Sequence, residues 1–388
     1  MKITDVNAYV VVPHYGSLTN DTSDWQWTFV TIDTDEGIQG WGEASSVPRN
    51  ASLLTGAGIR AVREALVGEN PADIERLWHK LYRRYTYMGS RGFPSTIVSG
   101  IDIALWDLKG KALNTPIYDL LGGTFRDSVR VYANAWFGGC TSAEQFGAAA
   151  KATVDAGHDA LKLDPFLEMS PFHTAYVDGQ ISPAGEEQGC EIVAAIRSAV
   201  GAQVEILIDA HGHFNVPTAV RLANRLHDES QIGWFEEPVP PESYGALHQV
   251  REQVTAPICV GERLFTRFDF VPVFEQRLAD FIMPDVVWTG GISELKKIAG
   301  MAEAHYIPIS PHNAQGPGQI LAGAHVSMTV PNFYRLEHAV SCKKSYDSFL
   351  QNPLQWDGNV IQLSDRPGLG VDLDMSQVRA KLHPDWTD

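Results

Sequence analysis

The chain has 388 residues, of which 44% are hydrophobic, so it is long enough for one large or two modest domains with a substantial core. Its formal net charge of -17 argues against nucleic acid or an anionic membrane as a partner, and no apolar run approaches the length that spans a bilayer. The four cysteines lack zinc or redox spacing, and the first residues lack the apolar stretch of a secretory signal. We therefore expect reduced thiols and a cytoplasmic protein.

Residues 1 to about 125 differ from the rest of the chain, because strand-like runs come first and helical patterns follow. This order indicates an α+β unit. The strand-like runs are 3–11, 27–33 and 40–43, and the helical patterns are 57–67, 74–85 and 95–113.

The stretch from residue 205 to residue 312 contains five short apolar runs, and each of them ends in an ionisable residue. Such runs, rich in Ile and Val and bounded by Gly or Pro, are typical of buried parallel strands, and helix-patterned segments lie between them. This alternation predicts a (β/α) barrel whose active site lies at the C-terminal ends of its strands. The residues at the predicted strand ends are Asp209, Glu236, Glu262, Asp285 and His312.

Three further strands complete the predicted barrel, at 129–133, at 160–164 and, last, at 334–337. An irregular stretch, 166–189, follows the second of these and precedes a helix at 191–200. A loop of this length on the catalytic face is usually a lid or a binding loop. The alternative is a surface decoration or an oligomer contact.

Three of the ionisable strand ends are carboxylates in register. Asp209, Glu236 and Glu262 are separated by 27 and then 26 residues, which is about one βα unit per step. Carboxylates at the tops of adjacent strands converge on one point, where their repulsion requires a cation. Hard oxygen ligands with room for water and substrate favour Mg²⁺.

Because of these motifs, the sequence resembles the mandelate racemase-like branch of the enolase superfamily. The resemblance extends over nearly the whole chain. The resemblance implies a modified (β/α)7β TIM barrel at residues 126–340, an N-terminal α+β capping domain at 1–125, and a tail at 341–388 that returns to the cap. The matching stretches are 101–107, 208–212, 234–238, 261–265, 284–292 and 310–312.

The resemblance also assigns roles. It maps the metal ligands onto Asp209, Glu236 and Glu262. It makes His312, held by Asp285, the base that removes the proton next to a substrate carboxylate. Glu337 resembles the residue that, in relatives, hydrogen-bonds the substrate carboxylate or the enediolate.

One departure from the family pattern reduces the number of reactions that the resemblance allows. Lys162 matches the first lysine of a Lys-x-Lys motif, but Asp164 stands where the second lysine is expected. A racemase of the mandelate type needs bases on both faces of the substrate carbon, so this lysine base is missing. His211 lies two residues beyond Asp209, where acid-sugar dehydratases of the family use a histidine as general acid.

The function expected from these features is Mg²⁺-dependent dehydration of a sugar acid, an aldonate or aldarate, to a 2-keto-3-deoxy acid. His211 or Lys162 would assist loss of the 3-hydroxyl. An epimerase, cycloisomerase or lactonising enzyme on the same scaffold is the nearest alternative, and a non-catalytic metal-binding or scaffold protein is a more distant one. The expected partners are a small-molecule sugar acid and further copies of the chain in a homo-oligomer.

Substrate specificity in the family depends on cap loops over the barrel. The cap loop would be 13–27, carrying His14, Tyr15, Trp25 and Trp27, with a second contribution from 48–54. A packed surface loop is an equal alternative. We also expect Asp164 and Arg263 to contact the substrate.

His211 and His213 form a His-x-His pair of the kind that zinc enzymes use. The three carboxylates nearby favour Mg²⁺ instead. We therefore expect His213 to be solvated or packed.

Overall fold

The computed structural model describes residues 1–13, 25–47, 50–87, 89–169 and 178–387. The first part of the chain forms a three-stranded antiparallel sheet, and its helices follow the strands, as predicted. The strands are β1 (Ile3–Val11), β2 (Trp27–Thr34) and β3 (Gln39–Glu43), and the helices are α1 (Ala51–Leu66), α2 (Ile74–Arg84), α3 (Phe93–Ala112) and the short α4 (Ile117–Leu120).

Helix α3 packs directly on strand β3, and glycines make this approach possible. A Cβ atom on Gly42 would lie 2.4 Å from the carbonyl oxygen of Gly100, and one on Gly40 would lie 2.3 Å from that of Ala104. Helix α3 is buried around most of its circumference, because it lies between this sheet and the second part of the chain. It is therefore the layer that joins the cap to the barrel.

The second part of the chain is a parallel barrel that closes when its last strand pairs with its first. Its strands are β4 (Val129–Asn134), β5 (Ala160–Leu163), β6 (Glu205–Asp209), β7 (Trp234–Glu236), β8 (Ile258–Val260), β9 (Phe281–Ile282) and β10 (Leu336–Ala339). The position between β9 and β10 is occupied by a segment that makes isolated parallel bridges, Ile282 to Ile309 and Asp285 to His312. The predicted (β/α)7β architecture is confirmed.

Helices connect the strands around the outside of the barrel, and several begin at the polar residues that favour helix starts. Ser142, Ser182, Asn215 and Ser243 each accept a hydrogen bond from a backbone N–H of the first turn. The helices are α5 (Ala143–Asp155), α6 (Pro183–Val200), α7 (Val216–Ser230), α8 (Tyr244–Arg251), α9 (Thr266–Glu275), α10 (Gly291–Ala304) and α11 (Pro317–Met328).

The predicted irregular stretch 166–189 is too long. Helix α6 begins at Pro183, eight residues before the predicted start at 191. Ser182 caps this helix and Pro183 occupies its first turn, where the missing N–H costs nothing. Gly185 and Gly189, which fall inside the predicted irregular stretch, are helical and lie against Glu168 and Phe166.

The C-terminal tail contains α12 (Lys343–Phe349), the hairpin β11 (Gln355–Asp357) and β12 (Val360–Gln362), and α13 (Met375–Ala380). The hairpin joins the barrel sheet through β4. Beyond it the tail contacts the first part of the chain: the indole N–H of Trp386 donates to the carbonyl of Ala8, and that of Trp41 donates to the carbonyl of Val371. These contacts agree with a tail that returns to the cap, while the boundaries at 125 and 340 stay predictions.

Within the described ranges, no helix combines the length and the apolar character that a membrane-crossing helix needs.

Cap and barrel are joined by hydrogen bonds to buried carboxylates. Glu43, at the end of β3, accepts from the backbone N–H groups of Gly316, Gly318 and Gln319 at the start of α11. Burial raises the pKa of Glu43 to about 7, although these donors and Ser45 oppose the rise. A carboxylate of the cap thus accepts hydrogen bonds from the free N–H groups at the N-terminus of a barrel helix.

Gly318→Ala is expected to destabilise the protein, because its Cβ would lie 2.7 Å from Cβ of Glu43 and 3.1 Å from the ring of Trp41. Overpacking of this kind costs about 1–3 kcal/mol. Gly300→Ala in α10 is the matched control, since nothing lies within 4 Å of its Cβ and alanine favours a helix by roughly 0.5–1 kcal/mol. Thermal unfolding should show a lower Tm for the first variant and an equal or higher Tm for the second. Equal shifts in both would contradict the contact with Glu43.

Candidate active site

The three predicted metal ligands meet at the C-terminal ends of adjacent strands. Asp209 and Glu236 are paired in register at the ends of β6 and β7, and Glu262 lies two residues beyond β8. All three are buried, and one carboxylate oxygen from each lies within 4.8 Å of the others. Buried carboxylates at this spacing are stable together only with positive charge between them. An all-oxygen set of this kind fits a hard divalent cation such as Mg²⁺.

Lys162 reaches into this carboxylate cluster from β5. Its Nζ lies 2.6 Å from Glu236, 3.1 Å from Asp209 and 3.0 Å from Glu337. Burial favours the neutral amine, but the carboxylates outweigh it and raise the pKa of Lys162 well above its usual value. Lys162 is therefore a charged member of the cluster, rather than a free amine that can act as a base.

His312 and Asp285 form the predicted dyad. The Nδ1 of His312 lies 2.6 Å from Oδ2 of Asp285, so the other ring nitrogen is left to face the cavity. The same carboxylate oxygen accepts from Nε2 of Gln319 at 2.6 Å, while Oδ1 accepts from the backbone of Val287 at 2.8 Å. Both carboxylate oxygens of Asp285 are thus fixed by hydrogen bonds, and Asp285 in turn orients His312.

The Nε2 of His312 points toward two carboxylates, 3.4 Å from Oε2 of Glu262 and 3.7 Å from Oε2 of Glu337. Burial lowers the proton affinity of the ring, but Glu337, Asp285 and Glu262 outweigh it and raise the pKa of His312 to about 9. The indole of Trp288 covers the imidazole, with ring centroids 5.2 Å apart, and its N–H donates to the carbonyl of Ser45 in the cap.

Glu337 lies at the end of the last barrel strand, between Lys162 and His312. Asn134 donates to its Oε1 at 2.6 Å, and the backbone of Asn313 donates to its Oε2 at 3.0 Å. Burial opposes ionisation, but Lys162 and His312 outweigh it, so the pKa of Glu337 is lowered. In the free protein the Glu337 carboxylate is therefore ionised and fixed beside His312.

His211 stands between two aspartates. Its Nδ1 lies 3.1 Å from Oδ2 of Asp164, and its Nε2 lies 3.4 Å from Oδ2 of Asp209. Burial disfavours the charged ring, but Asp209 and the hydrogen bond to Asp164 outweigh it and raise the pKa of His211 to about 9. Asp164, the residue that replaces the second lysine, thus orients a histidine and favours its protonated form.

Family models match most of the chain. The description "Mandelate racemase / muconate lactonizing enzyme, N-terminal domain" matches residues 1–122, and "Enolase C-terminal domain-like" matches residues 145–377. The chain belongs to the enolase superfamily. The expectation that it is an enzyme is confirmed with this membership.

The curated relatives of this enolase superfamily member include dehydratases. It is 35% identical to the D-gluconate dehydratase of Thermoproteus tenax over 360 residues, 91% of this chain and 70% of that protein. It is also 35% identical to the D-galactonate dehydratase of Ralstonia pickettii (strain 12J) over 395 residues, 100% of this chain and 96% of that protein. These names confirm the resemblance to the acid-sugar dehydratase type.

Solved structures of the superfamily share the whole fold. A mandelate racemase/muconate lactonizing enzyme-like protein from Rubrobacter xylanophilus DSM 9941 superimposes with a TM-score of 0.89 at 36% identity, covering 100% of this chain and 98% of that one. An enolase superfamily member from Salmonella Typhimurium gives 0.88 at 29% identity, with 97% of each chain covered.

In this enolase superfamily member a cavity of about 390 Å³ opens above the strand ends. Its lining includes the ionisable residues Lys162, Asp164, Asp209, His211, Glu262 and His312, together with a set of apolar residues. The apolar lining residues include Trp25, Val47, Phe137, Phe146, Phe166 and Leu167. The cap therefore contributes Trp25 and Val47 to the space in which a substrate would bind.

The predicted substrate contacts have different outcomes. Trp25, Asp164 and Arg263 line the cavity, while His14 and Tyr15 lie outside the described residues. The guanidinium of Arg263 is held by Glu237, whose Oε2 accepts from Nε at 3.0 Å and from Nη2 at 2.6 Å. Arg263 is thus a paired cation on the cavity wall, and contact with a substrate stays a prediction for all of these residues.

His213 also approaches His211 and Asp164, so that one ligand atom from each lies within 4.8 Å of the others. Burial lowers the pKa of His213 to about 4, which leaves its imidazole neutral. Two imidazoles and one carboxylate suit a softer ion such as Zn²⁺, whereas the three-carboxylate cluster suits Mg²⁺. His213 is buried, as expected for a packed residue.

Proposed function

We propose that this enzyme is a Mg²⁺-dependent hydro-lyase that converts a sugar acid, an aldonate or aldarate, into a 2-keto-3-deoxy acid through an enediolate. One observation carries the proposal: two histidines, each paired with its own aspartate, line the cavity that opens beside the carboxylate cluster. The dehydratase names of the relatives support the same reaction.

The carboxylates of Asp209, Glu236 and Glu262 would hold the cation. When bound, Mg²⁺ supplies electrostatic stabilisation of the negative charge that develops on the substrate carboxylate. The proximity of their carboxylate oxygens, within 4.8 Å of one another, supports this role.

His312 is the proposed base. With its Nδ1 held by Asp285, its Nε2 takes the proton from the carbon next to the substrate carboxylate when the ring is neutral. A cation held by Glu262 would favour the neutral ring, because it would offset one of the carboxylates that raise the pKa of His312. Glu337 lies beside Nε2 of His312 and, in its protonated form, would donate a hydrogen bond to the substrate carboxylate or the enediolate. The C–H electron pair then moves into the enediolate.

His211 is the proposed acid. Its ring is held in the protonated form by Asp164 and Asp209, so it can donate a proton to the departing 3-hydroxyl. The C3–O bond breaks, water leaves, and the resulting enol tautomerises to the 2-keto acid. Lys162 is the less suitable acid, because its ammonium group already contacts three carboxylates.

A panel of aldonates and aldarates with Mg²⁺ tests the proposal. A 2-keto acid that semicarbazide traps should form from at least one substrate, because only dehydration yields this product. In deuterated water the remaining substrate should not be epimerised at C2, since Asp164 replaces the base on the second face. Accumulation of a C2 epimer without a 2-keto acid would overturn the proposal in favour of an epimerase.

A further inference from the structure

Gln315 has a buried side chain that no other described residue satisfies. It lies three residues beyond His312, lines the cavity and is only 1% exposed. Neither its Oε1 nor its Nε2 has a hydrogen-bond partner among the described residues. Removing an amide from water without a partner is unfavourable, and such groups are rare in folded proteins. The position of this amide therefore requires an explanation.

The backbone around Gln315 is fixed, so its side chain starts from a defined point at the cavity wall. The N–H of Gln315 donates to Oε1 of Gln319 at 2.6 Å, and the N–H of Gly316 donates to Oε1 of Glu43 at 2.7 Å. A Cβ atom on Gly316 would lie 2.6 Å from the Glu43 carboxylate, which shows how closely the cap packs on this turn. The cap thus helps to keep an unpaired amide at the cavity wall.

We propose that Gln315 is a substrate-recognition residue whose side-chain amide binds a hydroxyl group that the product retains. This inference rests on the proposed function. An amide offers one acceptor and one donor side by side, and a hydroxyl is the sugar-acid group that both donates and accepts. The amide has no titratable proton, so it serves recognition and not proton transfer.

The buried amide would favour substrates that satisfy its hydrogen bonds over substrates that leave it unpaired. A sugar acid with the matching hydroxyl satisfies a group that is already desolvated and held in place. An analogue without that hydroxyl leaves the amide buried and unpaired, which should lower kcat/KM on the order of 10- to 100-fold. Gln315 therefore contributes to the choice among sugar acids that differ in hydroxylation.

The test compares wild type with Gln315→Met, which keeps the side-chain length and removes the amide. On the best substrate found in the panel, KM should rise about 10- to 100-fold with kcat little changed, because the contact persists through the reaction. Monodeoxy analogues of that substrate should include one that wild type handles poorly and that Gln315→Met does not distinguish from the parent. Gln249→Met, an exposed substitution in α8, should match wild type throughout.

Thermal unfolding checks that each variant is folded, and Gln315→Asn, which withdraws the amide by one methylene, replaces Gln315→Met if the latter is unstable. Equal KM values for wild type and a folded Gln315 variant would overturn the role of Gln315 and leave the dehydratase proposal intact. If wild type forms no 2-keto acid and no polyhydroxylated acid binds to it in the presence of Mg²⁺, the proposed function fails, and this inference fails with it.

Discussion

His312→Asn should abolish both dehydration and exchange of the α-proton with solvent. Neither process occurs without the enediolate, and loss of a general base typically lowers the rate on the order of 10²- to 10⁴-fold. Asparagine can still donate a hydrogen bond to Asp285, which Gln319 also holds, so the fold of the dyad region should survive. Proton exchange, followed by NMR in deuterated water, and 2-keto acid formation measure the two processes separately.

His211→Asn serves as the counterpart of His312→Asn. If His211 only protonates the leaving hydroxyl, this variant should lose dehydration by a similar factor and keep slow α-proton exchange. Both variants should retain Mg²⁺, because neither histidine belongs to the three-carboxylate cluster. Exchange that survives in His312→Asn and disappears in His211→Asn would reverse the two assignments.

Glu236→Gln should lose both divalent-cation binding and turnover. The Glu236 carboxylate is fully buried, and it is held by Lys162 at 2.6 Å and by the indole N–H of Trp234 at 2.9 Å. Substitution by an amide removes a carboxylate that could ionise on binding the cation, and it places an NH₂ group near a lysine ammonium. Titration calorimetry with MgCl₂ should show binding to wild type that is absent or at least about 100-fold weaker in the variant, and chelation of wild type should abolish activity until Mg²⁺ is restored.

Glu237→Gln is the matched control for the metal prediction. It is the next residue in the chain and is also buried, but its carboxylate binds Arg263 and the backbone of Gly261 instead of facing the cluster. This variant should retain Mg²⁺ binding even if Arg263 shifts. Loss of Mg²⁺ in Glu237→Gln and retention in Glu236→Gln, or full activity of exhaustively chelated wild type, would contradict the ligand set.

Most of the ionisable part of the site was predictable, because a charged residue at the end of a buried apolar run can only lie at a strand exit. This reasoning placed Asp209, Glu236, Glu262 and the dyad in one region. The helix pattern was less reliable where glycines interrupted it, as at the start of α6. The expected cytoplasmic location and homo-oligomeric state stay predictions.

The uncharged residues of the site, and a residue far from it in the sequence, were not predicted. Gln319, Asn134 and Gln315 are amides inside or beside regular elements, and no periodicity distinguishes them from surface polar residues. Glu43 contacts α11 across more than 270 residues of sequence, a separation that only the folded chain reveals. The ion pair of Arg263 was also not predictable, because it depends on which of the adjacent residues Glu236 and Glu237 turns toward the guanidinium.

The carboxylate at the end of β3 limits how freely such enzymes can be recombined. A chimera that grafts a different cap onto this barrel would have to supply an acidic side chain at position 43. Without it, three backbone N–H groups at residues 316, 318 and 319 would be buried without acceptors, next to the amide that holds Asp285. Exchange of the whole cap would therefore disturb the turn that positions Gln319 and, through Gln319, the carboxylate of Asp285.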